Sequence, residues 1–111
     1  MIETKESFLE YWLFLPVDKQ LGIVKEMVKC NDGFTFSAQN HFATYCNSKE
    51  ARTISEITDM ELGFPSQADD LIAPYANATE YGTPLTHDVY GYTPIDVIVA
   101  LINKHGGLKK I

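Results

Sequence analysis

Apolar residues dominate a short segment near the start of the chain. Residues 8–15 read Phe-Leu-Glu-Tyr-Trp-Leu-Phe-Leu, with Ser7 before them and Pro16 after them. Serine is a good N-cap, and proline ends one helix or opens the next. The pattern therefore predicts a helix over 8–15 that is apolar on nearly every side. We expect such a helix to be buried or covered by a partner.

A second strong helical pattern lies near the other end, over residues 95–104. Its polar positions are Asp96, Asn103 and Lys104, and Gly106-Gly107 follows. Thr93 is the predicted N-cap, and Pro94 suits the first helical position. Glycines just past the last turn are typical of a helix end. We expect this helix to be central to the core, with a buried strand as the alternative for its β-branched start.

The middle of the chain shows apolar residues three or four positions apart, with a serine before several of the segments. This spacing predicts helices over 17–30, 38–46, 49–62 and 67–73. Residues 74–94 are rich in tyrosine and proline and are expected to be loop. The fold class predicted is mainly α: one compact domain over residues 1–111 with five or six short helices. A minor two-stranded element is allowed around residues 34–36 and 85–92.

Charge is distributed very unevenly. Residues 53–103 contain eight acidic residues and no lysine or arginine, and the whole chain carries a net charge of −6. A field of this sign attracts basic partners and repels nucleic acid and anionic lipid. We therefore expect a basic protein surface as the partner, with no direct binding of nucleic acid and no binding to membranes.

Composition and targeting features favour a cytoplasmic protein. The N-terminal region has mixed charge, unlike a secretory signal, and no apolar stretch approaches the length of about 18 residues that a transmembrane helix needs. With Cys30 and Cys46 as the two cysteines, free thiols in a reducing compartment are expected.

No motif with catalytic or cofactor-binding spacing is evident. The histidines and cysteines lack the close pairing of structural zinc sites, and no glycine-rich phosphate loop is present. The negative surroundings of the cysteines disfavour a thiolate nucleophile. We predict no cofactor, no metal and no enzymatic activity.

The segment 74–94 and the acidic residues before it combine carboxylates with tyrosines, which is the pattern of a binding surface. Tyrosine provides a large contact area at little cost in entropy, and carboxylates steer a basic partner towards it. The alternative is that these tyrosines cover the core beneath a long loop. The predicted binding residues are Glu56, Asp59, Glu61, Asp69, Asp70, Tyr81, Asp88, Tyr90 and Tyr92.

These features lead to the hypothesis of a non-enzymatic, acidic protein-binding module. Its carboxylates would stand in for phosphates and block the nucleic-acid-binding surface of a target protein. It is similar in type, though in no motif, to small phage-encoded counter-defence proteins. Two alternatives remain: a homo-oligomeric assembly protein that associates, as a homodimer for example, through its apolar segment 8–17, and a small enzyme with His41 or His87 in a deep pocket beside a carboxylate.

Overall fold

Two helices and a four-stranded antiparallel sheet form the protein. The computed structural model describes residues 2–20, 22–77 and 84–109. The helices are α1 (Lys5–Phe14) and α2 (Ile95–Lys104), and the strands are β1 (Val28–Lys29), β2 (Thr35–Gln39), β3 (Asp59–Gly63) and β4 (Val89–Pro94). The strands follow one another across the sheet in chain order, β1-β2-β3-β4, so that each pairs with its neighbour in sequence.

The prediction of a mainly α fold is wrong. The segment predicted as a helix over 17–30 forms a bridge between Val17 and Lys25 and then β1. The predicted helix 38–46 is the end of β2 and a loop, and 49–62 is a 3₁₀ turn at Ile54–Glu56 followed by β3. Residues 67–73 form turns that lead into a 3₁₀ turn at Ala73–Tyr75.

The physical reason is a period of two within the strands. In β2 Phe36 and Ala38 are buried in the core, and in β3 Met60 and Leu62 are buried beside them. Alternate residues of a strand point to opposite faces, so these four side chains share the face that packs on the helices. The two-stranded element allowed around residues 34–36 and 85–92 corresponds to β2 and β4, but each of these strands pairs with β3 rather than with the other.

Helix α1 is present near its predicted position but begins earlier. Thr4 is the N-cap, and Ser7 is the third helical residue; the two side chains bond reciprocally to each other's backbone amides in a capping box. Phe8, Leu9 and Trp12 are buried. The Trp12 indole Nε1–H donates to the Ala38 carbonyl oxygen at 2.8 Å. This bond joins α1 to the part of β2 that is not paired with β1.

Helix α2 is confirmed with its predicted end. The amide of Gly106 donates to the Asn103 carbonyl and that of Gly107 to the Ile102 carbonyl, which is the Schellman arrangement. Thr93 is not a side-chain cap, because its hydroxyl donates to the Tyr90 carbonyl inside the core. Ile98, Leu101 and Ile102 are buried.

Both helices and the inner face of the sheet share one hydrophobic core, which includes Phe8 and Ile98. Burial of this apolar surface is the main stabilising contribution to the fold. Among the described residues, no helix combines the length and apolar character that crossing a membrane requires.

Candidate functional site

Asp59, a predicted binding residue, is buried and serves the fold. Its carboxylate accepts hydrogen bonds from the Asn47 backbone amide at 2.6 Å, the Asn47 side-chain amide at 3.0 Å and the Thr58 hydroxyl at 3.1 Å. These bonds fasten the loop that follows β2 to the start of β3. A carboxylate with three donors inside the protein is not available to a partner.

Asp69 is also buried, in a cluster at the end of α2. Its two carboxylate oxygens accept from Lys104 Nζ at 3.0 Å and from His105 Nε2 at 2.8 Å. The other ring nitrogen of His105 lies 2.6 Å from Asp32 Oδ2. The imidazole is stacked on the Phe34 ring, with centroids 3.9 Å apart. The neighbouring Asp70, in contrast, is exposed.

The two carboxylates determine the charge of this cluster. Burial alone would lower the pKa of His105, but the hydrogen bonds and the charges of Asp69 and Asp32 outweigh burial and raise it. Because both ring nitrogens are occupied by carboxylates, His105 cannot accept a proton from a substrate. The cluster joins the β1–β2 turn, the segment after β3 and the end of α2, and its role is structural.

The remaining predicted residues are scattered among different surroundings. Asp88 and Tyr90 are buried, and the Tyr90 hydroxyl donates to the Leu85 carbonyl. Glu56 is exposed, and its carboxylate accepts from the Arg52 backbone amide at 2.7 Å. Tyr81 lies outside the described residues. The predicted carboxylates therefore do not form one outward patch, because Asp59, Asp69 and Asp88 are buried inside the protein.

Two of the predicted residues, Glu61 and Tyr92, do lie together. The Glu61 carboxylate accepts from the Tyr45 backbone amide at 2.7 Å, and the Tyr92 amide donates to the Tyr45 carbonyl at 2.8 Å. Tyr45 is thus held between the two. Phe42 lies at the corner of the turn that leads into Tyr45, a turn closed by the Thr44 amide bonding to the His41 carbonyl at 3.1 Å.

We call Phe42, Tyr45, Tyr92 and Glu61 the aromatic patch. Its three rings are 77%, 52% and 50% exposed, in that order. Exposed aromatic side chains that are grouped on one surface are typical of interaction sites. Sequence reasoning missed Phe42 and Tyr45 because it placed both on a predicted helix.

Tyr92 has an unusual backbone conformation. Its φ is +56°, in the left-handed region that bulky residues rarely adopt. The register places Met60 opposite Thr93 and Leu62 opposite Tyr90, so β4 contains one extra residue in a bulge at Gly91-Tyr92. A Cβ on Gly91 would lie 2.9 Å from Tyr45 Cβ, so glycine is required where the loop crosses the strand.

A groove of about 1080 Å³ lies elsewhere, between α1 and the segment that leads into β1. We call it the α1 groove. Neither His41 nor His87 lines it, so it is not the pocket expected for an enzyme. Its lining residues are Ser7, Glu10, Tyr11, Phe14, Leu15, Pro16, Asp18, Glu26, Met27, Lys29 and Lys109.

The described residues bear on metal and thiol chemistry. Within residues 2–20, 22–77 and 84–109, no three His, Cys, Asp or Glu side chains are grouped as metal ligands would be. Cys30 and Cys46 are both free and buried. Burial, followed by the charge of Asp32, raises the pKa of the Cys30 thiol to about 12. Cys30 is therefore a thiol packed in the core rather than a nucleophile.

Comparisons with protein-family models, with curated proteins and with solved structures each gave no match to the chain.

Proposed function

We propose that the protein is a non-enzymatic binding module that engages a basic surface of a cytoplasmic target protein through the aromatic patch. Tyr45 and Tyr92 offer ring faces on which arginine or lysine side chains can stack. The Glu61 carboxylate beside them can pair with the same cations, since its hydrogen bond to Tyr45 leaves lone pairs available.

The observation that carries this proposal is the left-handed backbone of Tyr92. A tyrosine with φ of +56° costs stability, and yet half of its ring contacts water rather than the core. Left-handed conformations of non-glycine residues are found at binding and switching sites more often than elsewhere. A role in recognition would explain why an exposed aromatic is kept at this bulge.

Charge supports the choice of a basic partner. The net charge of −6 favours encounters with a cationic surface, and exposed Glu56 and Asp70 contribute to that field. Basic grooves that bind nucleic acid are surfaces of this kind. We propose inhibition by occupancy, in the manner of small phage-encoded counter-defence proteins, as the biological role. The buried carboxylates Asp59, Asp69 and Asp88 have no part in the contact.

The experiment is site-specific photo-crosslinking in lysate of the organism that makes the protein. A photoreactive benzoylphenylalanine replaces Phe42 in one variant and Ile2 in a control, since the two side chains are 77% and 79% exposed. We expect a protein to be captured at position 42 and not at position 2. The captured protein is then purified, and its affinity for the chain is measured at low and high salt.

Two further variants test the chemistry of the contact. Tyr92→Asn removes the ring while tolerating the left-handed backbone, and Glu61→Gln removes the charge while keeping an acceptor for the Tyr45 amide. We expect each to weaken binding about tenfold or more, with added salt weakening the wild-type complex. Equal affinity of both variants and the wild type, or equal capture at positions 42 and 2, would contradict the proposal.

A further inference from the structure

The α1 groove has opposite charges at its two ends. At one end Lys29 and Lys109 lie together, because the Lys109 amide donates to the Lys29 carbonyl at 2.9 Å. At the other end lie Asp18 and Glu26, where the Glu26 amide donates to the Pro16 carbonyl at 2.8 Å. Glu26 and Lys29 are three residues apart on an extended segment, which separates the two ends by about 10 Å.

Helix α1 forms one wall of the groove and runs from its lysine end to its acidic end. Ser7, Glu10, Tyr11 and Phe14 lie on one face of α1 at the spacing of helical neighbours. The Lys29 backbone lies close to the Tyr11 hydroxyl, which places the part of α1 before Phe14 towards the lysine end. Phe14, Leu15 and Pro16 lie at the acidic end with Glu26.

Exposed apolar side chains mark the acidic end as a contact surface. Phe14 is 76% exposed although it belongs to a helix that is apolar on most sides. Leu13 and Val17, which flank this end of the groove in sequence without lining it, are each about half exposed. Several large apolar side chains exposed in one stretch of chain are typical of an interface rather than of free surface.

We propose that the α1 groove is the interface of a homodimer, in which a second copy of the chain docks antiparallel across a two-fold axis. A two-fold contact uses the same surface on both copies. An axis perpendicular to the groove reverses its direction in the partner, so that the lysine end of each copy faces the acidic end of the other. This interface is separate from the aromatic patch and does not depend on it.

Charge complementarity selects a second copy over an unrelated occupant. The groove provides two lysines at one end and two carboxylates at the other, and reversing its direction pairs these groups twice over. Phe14 then reaches the lysine end of the partner, where the Tyr11 ring and the lysine side-chain stems can cover it. Within a single copy the Phe14 ring stays mostly exposed.

Sedimentation equilibrium of the intact chain tests the proposal over a range of protein and salt concentrations. We expect a monomer–dimer equilibrium that added salt weakens. Phe14→Ser should weaken dimerisation about tenfold or more without unfolding the chain, because the ring is mostly exposed. The double reversal Lys29→Glu with Lys109→Glu should do the same, because it places like charges opposite each other in both halves of the interface.

The sharper test mixes two reversed chains. The second variant combines Asp18→Lys with Glu26→Lys, and each variant alone should be monomeric. Mixed together they should form a one-to-one heterodimer at least tenfold tighter than either forms with itself. Lys49→Glu, which changes charge outside the groove, serves as the control and should leave dimerisation unchanged.

Several results would overturn the proposal. A wild-type chain that stays monomeric at concentrations up to about 1 mM would do so. A dimer that survives Phe14→Ser and both charge reversals would place the interface on another surface. Circular dichroism of each variant establishes that a lost dimer is not a lost fold.

Discussion

At the residue scale, the most unusual conformations belong to two exposed aromatics. Among the described residues, Phe64 and Tyr92 are the non-glycine residues with a left-handed backbone, at φ of +51° and +56°. Both are about half exposed, so burial of their rings contributes less than it would in the core. Phe64 follows β3 and Tyr92 forms the bulge of β4. The backbone at these positions is therefore set by the sheet and not by the preference of the residues.

Tyr92→Gly and Tyr92→Ala isolate this backbone effect. Both remove the ring, and they differ mainly in how well they tolerate a positive φ. We expect Tyr92→Gly to have the higher free energy of unfolding by about 1 kcal/mol, measured by urea denaturation. Val89 lies on the same strand and does not have a positive φ. Substituting it by glycine and by alanine should give the opposite order, with the alanine variant having the higher free energy of unfolding. If alanine is the more stable residue at both positions, the conformation of Tyr92 is not strained.

At the element scale, the accuracy of the sequence-based prediction followed the strength of the local signal. Helix α2 was predicted with its end because apolar residues, a first-turn Asp96 and two glycines all indicated one structure. Helix α1 was predicted nearly in place for a similar reason. The middle segments offered apolar residues three or four positions apart, such as Ile54, Ile57 and Met60, but in the fold Ile54 belongs to a 3₁₀ turn and Met60 to β3.

Strands β1 and β3 were missed, and β2 and β4 were expected only as a minor two-stranded element. Phe34, Phe36 and Ala38 alternate with Thr35 and Ser37, and this period of two could have predicted β2. Strand β3 carries Asp59 and Glu61, which are rare in strands. Their carboxylates bind backbone amides of the loop that follows β2, and sequence alone does not reveal such long-range partners.

The aromatic patch could be predicted only in part for the same reason. Glu61 and Tyr92 were both named among the binding residues, but their proximity depends on the pairing of β3 with β4. Tyr45 joins them through its backbone amide and carbonyl, so the type of its side chain does not reveal the contact.

The end of α2 provides the test at this scale. Gly106 has φ of +88°, and a Cβ there would lie 3.4 Å from Asn31 Cβ. We expect Gly106→Ala to lower the free energy of unfolding by about 1 kcal/mol or more, measured by thermal and urea denaturation. Gly63→Ala is the control, since its added Cβ makes ordinary contacts at 3.6 Å and its φ is not positive. Equal losses at the two positions would argue against a conformational cause.

At the scale of the whole molecule, His105 joins segments that are distant in sequence. Asp32 follows β1, Asp69 follows β3, and His105 ends α2, so one ring holds the two halves of the chain together. Hydrogen bonds from the Phe34 amide and from His105 lower the pKa of Asp32. Burial alone would raise the pKa of Asp69. The hydrogen bonds that its carboxylate accepts from the Leu71 amide, His105 and Lys104 outweigh burial and lower this pKa.

This arrangement predicts how stability changes with pH. Because the pKa of His105 is raised in the fold, its contribution is complete below the ordinary value of 6.5 and is lost as pH rises through the folded pKa. The lowered pKa values of Asp32 and Asp69 act in the opposite direction, and their contribution is lost as the solution is acidified below about 3.8. We therefore expect the difference in unfolding free energy between wild type and His105→Gln to shrink above pH 6.5.

Urea denaturation at several pH values measures that difference, and NMR titration of the His105 ring measures its pKa directly. Asp32→Asn is the matched variant, since it removes one carboxylate and should lower the pKa of His105. A difference that stays constant across this range, or an unchanged pKa in Asp32→Asn, would show that the cluster does not hold a charged imidazole.

The outer strands of the sheet are covered by irregular segments of the same chain. Lys109 bonds to β1, while Asn77 and Tyr45 bond to β4. Exposed strand edges are where proteins recruit further strands and grow into fibrils. A chain protected in this way should not grow into fibrils at high concentration, and its associations should be selected by side chains rather than by generic backbone pairing.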